Sequence, residues 1–169
     1  IHQKKENHLK SKYYKRLAYD EILANLLVLS EARRRIKKIK KIKKIFNNKD
    51  TNTLIHNFNF KLTRNQALII NEINNDLKSD FKMFRLLQGD VGSGKTIVAF
   101  IAAVNVIRSN WQVALMAPTE ILARQHFNLA KKIFEFTNIK IDFLSGKSNS
   151  QERIIIKNKL LDGKINFLI

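Results

Sequence analysis

From about Tyr13 to Phe46 the apolar residues Leu17, Ile22, Leu23, Leu26, Leu27 and Leu29 recur at helical spacing, with no Gly or Pro between them. That pattern predicts one long helix. Its later part is unusual, because Ile36, Ile39, Ile42 and Ile45 repeat every third residue. Each such step falls short of a full helical turn by about 60°, so the four isoleucines sweep about half the circumference and no single flat surface can bury them all. A polar stretch, Asn47-Asn48-Lys49-Asp50-Thr51-Asn52-Thr53, then separates a helical arm (residues 1–53) from the remainder (54–169).

Beyond that break the hydrophobic period alternates between helix and strand. Helices are expected at Arg64–Asp76, Lys95–Ser109, Glu120–Phe136 and Gln151–Leu161, with strands at Phe84–Gln88, Gln112–Met116, Lys140–Leu144 and Ile165–Ile169. Strands separated by helices of this length predict an α/β fold, a parallel sheet with helices on both faces, preceded by the long helix. No internal repeat is visible.

Charge changes this picture more than composition does. The 169-residue chain has a formal net charge of +18 and a pI of about 10.3, which suggests a polyanionic partner. Residues 1–50 hold 16 Lys and Arg against 5 Asp and Glu, a net +11, so the excess is concentrated in the arm. Abundant Ile, Asn and Lys throughout fit a low-GC codon bias, which accounts for part of the excess without any binding role. Two readings of the arm stay open: a helix with solvated lysines, or one that contacts phosphates or a partner through Arg34, Lys37 and Lys41. The chain has no cysteine, so disulfides and thiolate metal sites are excluded and a reducing cytoplasm is the expected setting. No apolar stretch approaches the ~20 residues of a bilayer span, and no membrane partner is expected.

The chemistry lies at Gly89-Asp90-Val91-Gly92-Ser93-Gly94-Lys95-Thr96, which fits G-x-x-x-x-G-K-[ST] between a predicted strand and a predicted helix. Phosphate needs a ring of backbone N–H donors. Only a chain free to adopt positive φ wraps around it, and the helix starting behind the loop adds its positive dipole end. Three of the five glycines stand at positions 89, 92 and 94. Lys95 reaches phosphate oxygens as a point charge, and the Thr96 hydroxyl is the candidate Mg²⁺ ligand. ATP with Mg²⁺ is the expected cofactor, and Lys95 and Thr96 are the candidate catalytic residues.

A phosphate loop alone fits several enzyme classes, so the flanking residues must discriminate. The strings Leu86 to Thr96 and Val113-Ala114-Leu115-Met116-Ala117-Pro118-Thr119-Glu120-Ile121-Leu122-Ala123-Arg124-Gln125-His126-Phe127 resemble the RecG family of superfamily 2 DNA helicases. Upstream, Arg16 to Ala24 resembles the linker helix before the RecG motor, and Phe60-Lys61-Leu62-Thr63 with Gln66 resembles the start of its first lobe. Asp90 is shared with the transcription-repair coupling factor and does not separate the two, whereas Ser93 and Met116 to Glu120 favour RecG.

The resemblance implies a P-loop NTPase of RecA-like fold that couples ATP hydrolysis to translocation on DNA. It implies branched duplex DNA, forks and Holliday junctions, as the partner of a monomer. Gln66, with Phe60 and Leu62 before it, would match an adenine-reading motif; the alternative is a surface glutamine on the first turn of a helix. Pro118, Thr119 and Glu120 would sit against the DNA backbone, or Thr119 is a plain N-cap. Ser145 and Gly146, in Leu144-Ser145-Gly146-Lys147, fall where the family places another DNA-contacting loop, or they form a simple turn. RecG-like sequences often have threonine at the place of Ser145. The water-activating Asp-Glu-x-His motif and the second lobe's arginines are absent from this sequence. The chain is therefore expected to be the first half of lobe 1 with its preceding arm, inactive alone. The coupling factor, a replication-restart helicase, and a truncated non-catalytic nucleic-acid-binding product are the alternatives.

Overall fold

The computed structural model describes residues 12–47, 55 and 61–169, with only the backbone of Ile36 and Lys37. Phe60 and most of the polar break at 47–53 lie outside the described residues. The chain divides into two compact units, one of residues 1–41 and 81–85 and one of 42–80 and 86–169.

In the first unit, helix α1 spans Lys12–Lys37. Ion pairs one turn apart support its surface: Arg16 to Asp20 at 3.0 Å and Arg35 to Glu31 at 3.1 Å. The helix stops at Lys37 rather than at Phe46. Lys40 instead forms an antiparallel bridge with Phe81, and the Lys82 N–H donates to the Ile39 carbonyl at 2.9 Å. Past Lys37 the isoleucines Ile39, Ile42 and Ile45 stay exposed.

The second unit is organised around one apolar helix. Residues 42–47 are extended: the Lys44 N–H donates to the Leu77 carbonyl at 3.1 Å, the Lys44 ammonium lies 3.2 Å from the Trp111 ring centroid, and Phe46 is buried. Helix α2 spans Arg64–Lys78 and begins with a capping box, in which Thr63 Oγ1 accepts from the Gln66 N–H and Gln66 Oε1 accepts from the Thr63 N–H. Helix α3 spans Lys95–Arg108. Its sequence, KTIVAFIAAVNVIR, is apolar past the first turn except at Asn105 and Arg108, which fits a helix covered on most sides. Ile97, Val98 and Ile101 pack with Phe46 and with Ile70, Ile73 and Leu77 of α2. On the other side Phe100, Ala103, Val104 and Ile107 meet Ala130, Phe134, Phe167 and Ile169. Phe100 sits edge-on to Phe167, with ring centroids 5.7 Å apart. One polar pair interrupts this core, Asn105 Nδ2 donating to Asn74 Oδ1 at 2.7 Å, and it fixes the register of α3 on α2.

The remaining chain alternates strand and helix: β1 (Val113–Ala114), α4 (Glu120–Phe134), β2 (Ile141–Asp142), α5 (Ser150–Leu161) and β3 (Phe167–Leu168). The strands form a parallel sheet in the order β1-β3-β2, with Val113 and Ile141 both in register with Phe167. Further bonds from the Leu115 N–H to the Leu168 carbonyl and from the Leu144 N–H to the Ile169 carbonyl carry the ladders past the assigned strands. This is the expected α/β arrangement of parallel strands with flanking helices. The expected strand at 84–88 is not part of it, since that run makes no ladder among the described residues and Phe84 and Leu86 are exposed. An apolar run becomes a strand only where a neighbour supplies the ladder bonds.

Phe100 is fully buried between α4 and β3. Replacing it with alanine is expected to destabilise the second unit by about 3–5 kcal/mol, read as a lower midpoint in urea unfolding with little change in slope.

Candidate nucleotide site and strand-end groove

The loop expected to hold phosphate closes on itself through its lysine. Lys95 Nζ donates to the Gly89 carbonyl at 2.7 Å and the Asp90 carbonyl at 2.6 Å, and lies 3.4 Å from Ser93 Oγ. The Ser93 N–H donates to the Asp90 carbonyl at 3.2 Å, making the turn, and Val91 is fully exposed at its tip. Gly92 and Gly94 adopt φ of +79° and +81°, which side chains rarely tolerate. A Cβ on Gly89 would stand 2.9 Å from Ser93 Oγ. Gly94 is the N-cap of α3, so the loop ends where the helix leaves its first N–H groups without intrahelical acceptors and its dipole positive.

The donor set therefore fits a triphosphate and its metal. It offers glycines where Cβ atoms would strain or crowd the loop, an ammonium on the concave side, a 14-residue helix behind it and the Thr96 hydroxyl at its first turn. Gln66 comes to the same place from α2. Its Nε2 donates to the Ser93 carbonyl at 3.0 Å while its Oε1 accepts from the Thr63 N–H at 2.9 Å.

A second set of expected residues gathers at the C-terminal ends of the strands. A groove of about 610 Å³ is lined by Met116, Pro118, Thr119, Glu120, Ser145, Gly146 and Lys147 among others. Thr119 caps α4, its Oγ1 accepting from the Leu122 N–H at 3.3 Å. Glu120 bridges the two loops, holding Arg124 at 2.9 Å and Lys147 at 3.3 Å. The hydrogen bond from Arg124 holds the Glu120 carboxyl below its ordinary value; burial opposes it, and Lys147 adds to the lowering. In the arm, Arg34 is exposed on α1 and lies 3.9 Å from Glu31, and Lys41 is half-buried. The side chain of Lys37 lies outside the described residues.

One contributor was not anticipated. Arg153 of α5 donates to the carbonyls of Ser145 at 3.0 Å, Ser148 at 3.0 Å and Gly146 at 3.3 Å, and so pins the second loop. The local signal was the Asn149 to Glu152 capping box, which starts α5 one residue ahead of the predicted boundary and directs Arg153 back over the loop.

A glycine-lined loop closed by lysine, set at the start of a buried helix beside a parallel sheet, defines a RecA-like P-loop nucleotide-binding fold. The DEAD/DEAH box helicase family matches residues 63–169, and the chain belongs to that family. It is 39% identical over 157 residues to the ATP-dependent DNA helicase RecG of Aquifex aeolicus, an alignment covering 93% of this chain and 20% of that protein. It is 37% identical over 155 residues to RecG of Escherichia coli K12, covering 92% of this chain and 22% of that one. A solved structure described as RecG bound to a three-way DNA junction superposes with a TM-score of 0.81 at 39% identity, over 92% of this chain and 21% of that one. These likenesses bear out the RecG resemblance read from Leu86–Thr96 and Val113–Phe127. The chain spans about a fifth of the length of the relatives it matches.

Because the carboxyl of Glu120 is held low in the folded chain, its ion pairs are complete above the ordinary glutamate range. They are lost as pH falls through its own depressed value. Carbon-detected NMR titration is expected to show that midpoint rising toward the ordinary value in Arg124→Ala. An unmoved midpoint would show that another group sets it.

Proposed function

We propose that this chain is the nucleotide-binding part of an ATP-dependent DNA helicase that remodels branched DNA, stalled forks and Holliday junctions, in recombination and repair. The observation that carries the proposal is the loop Gly89–Thr96, closed by the Lys95 ammonium at the N-terminus of a buried helix, in a chain 39% identical to RecG. The similar RecG structure is bound to a three-way DNA junction, which supports the choice of branched DNA.

In this reading the backbone of Gly89 to Thr96 binds the phosphates of ATP. Lys95 would neutralise charge on the terminal phosphates, and the Thr96 hydroxyl would hold a magnesium ion beside them. Such an ion would add charge neutralisation on the transferred phosphoryl group. Lys95 is already oriented by two carbonyls, so little side-chain entropy remains to be lost on binding. Pro118, Thr119, Glu120, Ser145 and Gly146 line the groove proposed to take the DNA backbone. Thr119 starts α4 there, and the N-terminal end of a helix attracts phosphate. Arg34, Lys37 and Lys41 add sequence-independent attraction from the arm. Among the described residues no helix is long and apolar enough to cross a membrane. The cysteine-free sequence fits a cytoplasmic protein, and a monomer is the proposed state.

Isothermal titration with Mg-ATP tests the nucleotide site. Lys95→Ala is expected to weaken binding about ten- to a hundredfold, the range for a hydrogen bond to a charged group. Equal affinity in the variant would remove the loop from the binding site and with it the motor assignment.

The DNA role of the arm has its own test. Reversing charge at Arg34, Lys37 and Lys41 is expected to lower affinity for a junction substrate and to flatten the dependence of log affinity on log salt. An unchanged slope would give the arm a structural job only.

A further inference from the structure

We propose that Arg153 is a positioning residue for the DNA backbone, acting through the turn of residues 145–148 that it holds beside the groove. The proposal rests on the reading of that groove as the DNA site and names what keeps one wall of it in shape.

The turn stands between two hollows. Ser145 and Lys147 line both the strand-end groove and a second hollow of about 430 Å³ that reaches Asp142, Ile155 and Lys159. A wall with open space on both sides takes its shape from hydrogen bonds more than from packing. Within the turn the Ser148 N–H donates to the Ser145 carbonyl at 3.1 Å, the Ser145 N–H to Ser148 Oγ at 3.1 Å and the Lys147 N–H to Ser145 Oγ at 3.2 Å. These bonds close the turn on itself. Arg153 ties it to a helix.

One guanidinium gathers three carbonyls of this turn: Nε takes that of Ser148, and Nη2 those of Ser145 and Gly146. It can do so because its donors sit in a fixed planar fork. The negative ends of three peptide dipoles are thereby turned onto a cation of the protein, and a carbonyl engaged this way repels an approaching phosphate less. Lys147 leaves from the middle of the same turn and meets Glu120 at 3.3 Å, so the turn's shape also sets where that ammonium stands. A Cβ on Gly146 would meet nothing within 4 Å, which leaves the space beside that backbone open to a ligand.

The clamp is itself fixed at its base. The Asn149 to Glu152 capping box sets the start of α5, and Ile156, one turn beyond Arg153, is buried. Farther along, Lys159 pairs with Asp142 of β2 at 2.9 Å, and Gln112 Nε2, just before β1, donates to the Leu160 carbonyl at 2.8 Å. Arg153 thus passes the position of a helix anchored to the sheet on to a turn at the groove's edge.

Affinity of the full chain for a junction substrate tests this role. Arg153→Ala is expected to weaken binding about three- to tenfold, the range for one hydrogen bond, with Mg-ATP affinity unchanged. Arg153→Lys keeps the charge without the fork and is expected to lose affinity to a similar extent; it also serves if the alanine variant does not fold. Full affinity in the lysine variant would make Arg153 a general attractive charge, and a parallel loss of Mg-ATP affinity would reveal a loosened fold; each result overturns the proposal. The losses from Arg153→Ala and Lys147→Ala are expected to be non-additive, because both act through one turn. Additive losses would place the effect of Arg153 elsewhere. Amide exchange at Lys147 and Ser148 is expected to quicken in both Arg153 variants, and unchanged exchange would reject the clamp.

Lys147→Ala and Gly146→Ala keep this proposal apart from the reading beneath it. If both bind the junction as the unaltered chain does, the groove is not the DNA site and that reading fails. If they weaken binding while Arg153→Ala does not, only the role of Arg153 fails.

Discussion

A phosphate loop needs backbone that only glycine adopts easily, and it needs that backbone held still. These demands conflict, because glycine loses the most conformational freedom on ordering. The chain resolves the conflict by joining the loop directly to its most deeply buried element. Gly94, at φ of +81°, is followed at once by α3, whose Phe100 and Ile101 are fully buried and whose two faces belong to both hydrophobic clusters. Displacing the start of α3 would disturb the whole core, so the core's cohesion sets the position of the loop's C-terminal end. Lys95, the first residue of that helix, then reaches back to the Gly89 and Asp90 carbonyls and fixes the other end.

Much of this was legible in the residue order. The glycine spacing, the lysine and the apolar helix behind them were enough to place the loop, and helix starts at Arg64, Lys95 and Glu120 followed from periodicity. What escaped depended on partners far away in the chain. The run 84–88 has strand-like composition but no ladder among the described residues. The arm's helix ends at Lys37, and the chain turns to a bridge between Lys40 and the distant Phe81. Periodicity reports which residues could share a face. It cannot report which face exists to receive them.

The same distinction applies to the sites. Gln66 was readable as a glutamine in a first helical turn, and the capping box with Thr63 bears that reading out locally. Its bond to Ser93 joins residues with 26 others between them and leaves no periodic trace. Thr119 is likewise a working N-cap, so its place in the groove adds a proposed role without replacing the structural one. Arg153 shows the reverse case. It looks like one more cation in a basic chain, yet three backbone carbonyls of the Ser145–Ser148 turn depend on it.

The sheet order sets the spacing of the two loops that flank the groove. In a parallel sheet all strands end on one edge, so the loops after β1 and β2 emerge side by side there. The central position of β3 keeps β1 and β2 two strand spacings apart, roughly 9–10 Å. Charged side chains from the two loops meet across that spacing. Glu120 and Lys147 span it at 3.3 Å, Arg124 steadies the carboxylate from α4, and Arg153 steadies the lysine's loop from α5. An ion pair this exposed adds little to stability. Its consequence is geometric: it links the start of α4 to the turn after β2 across the mouth of the groove.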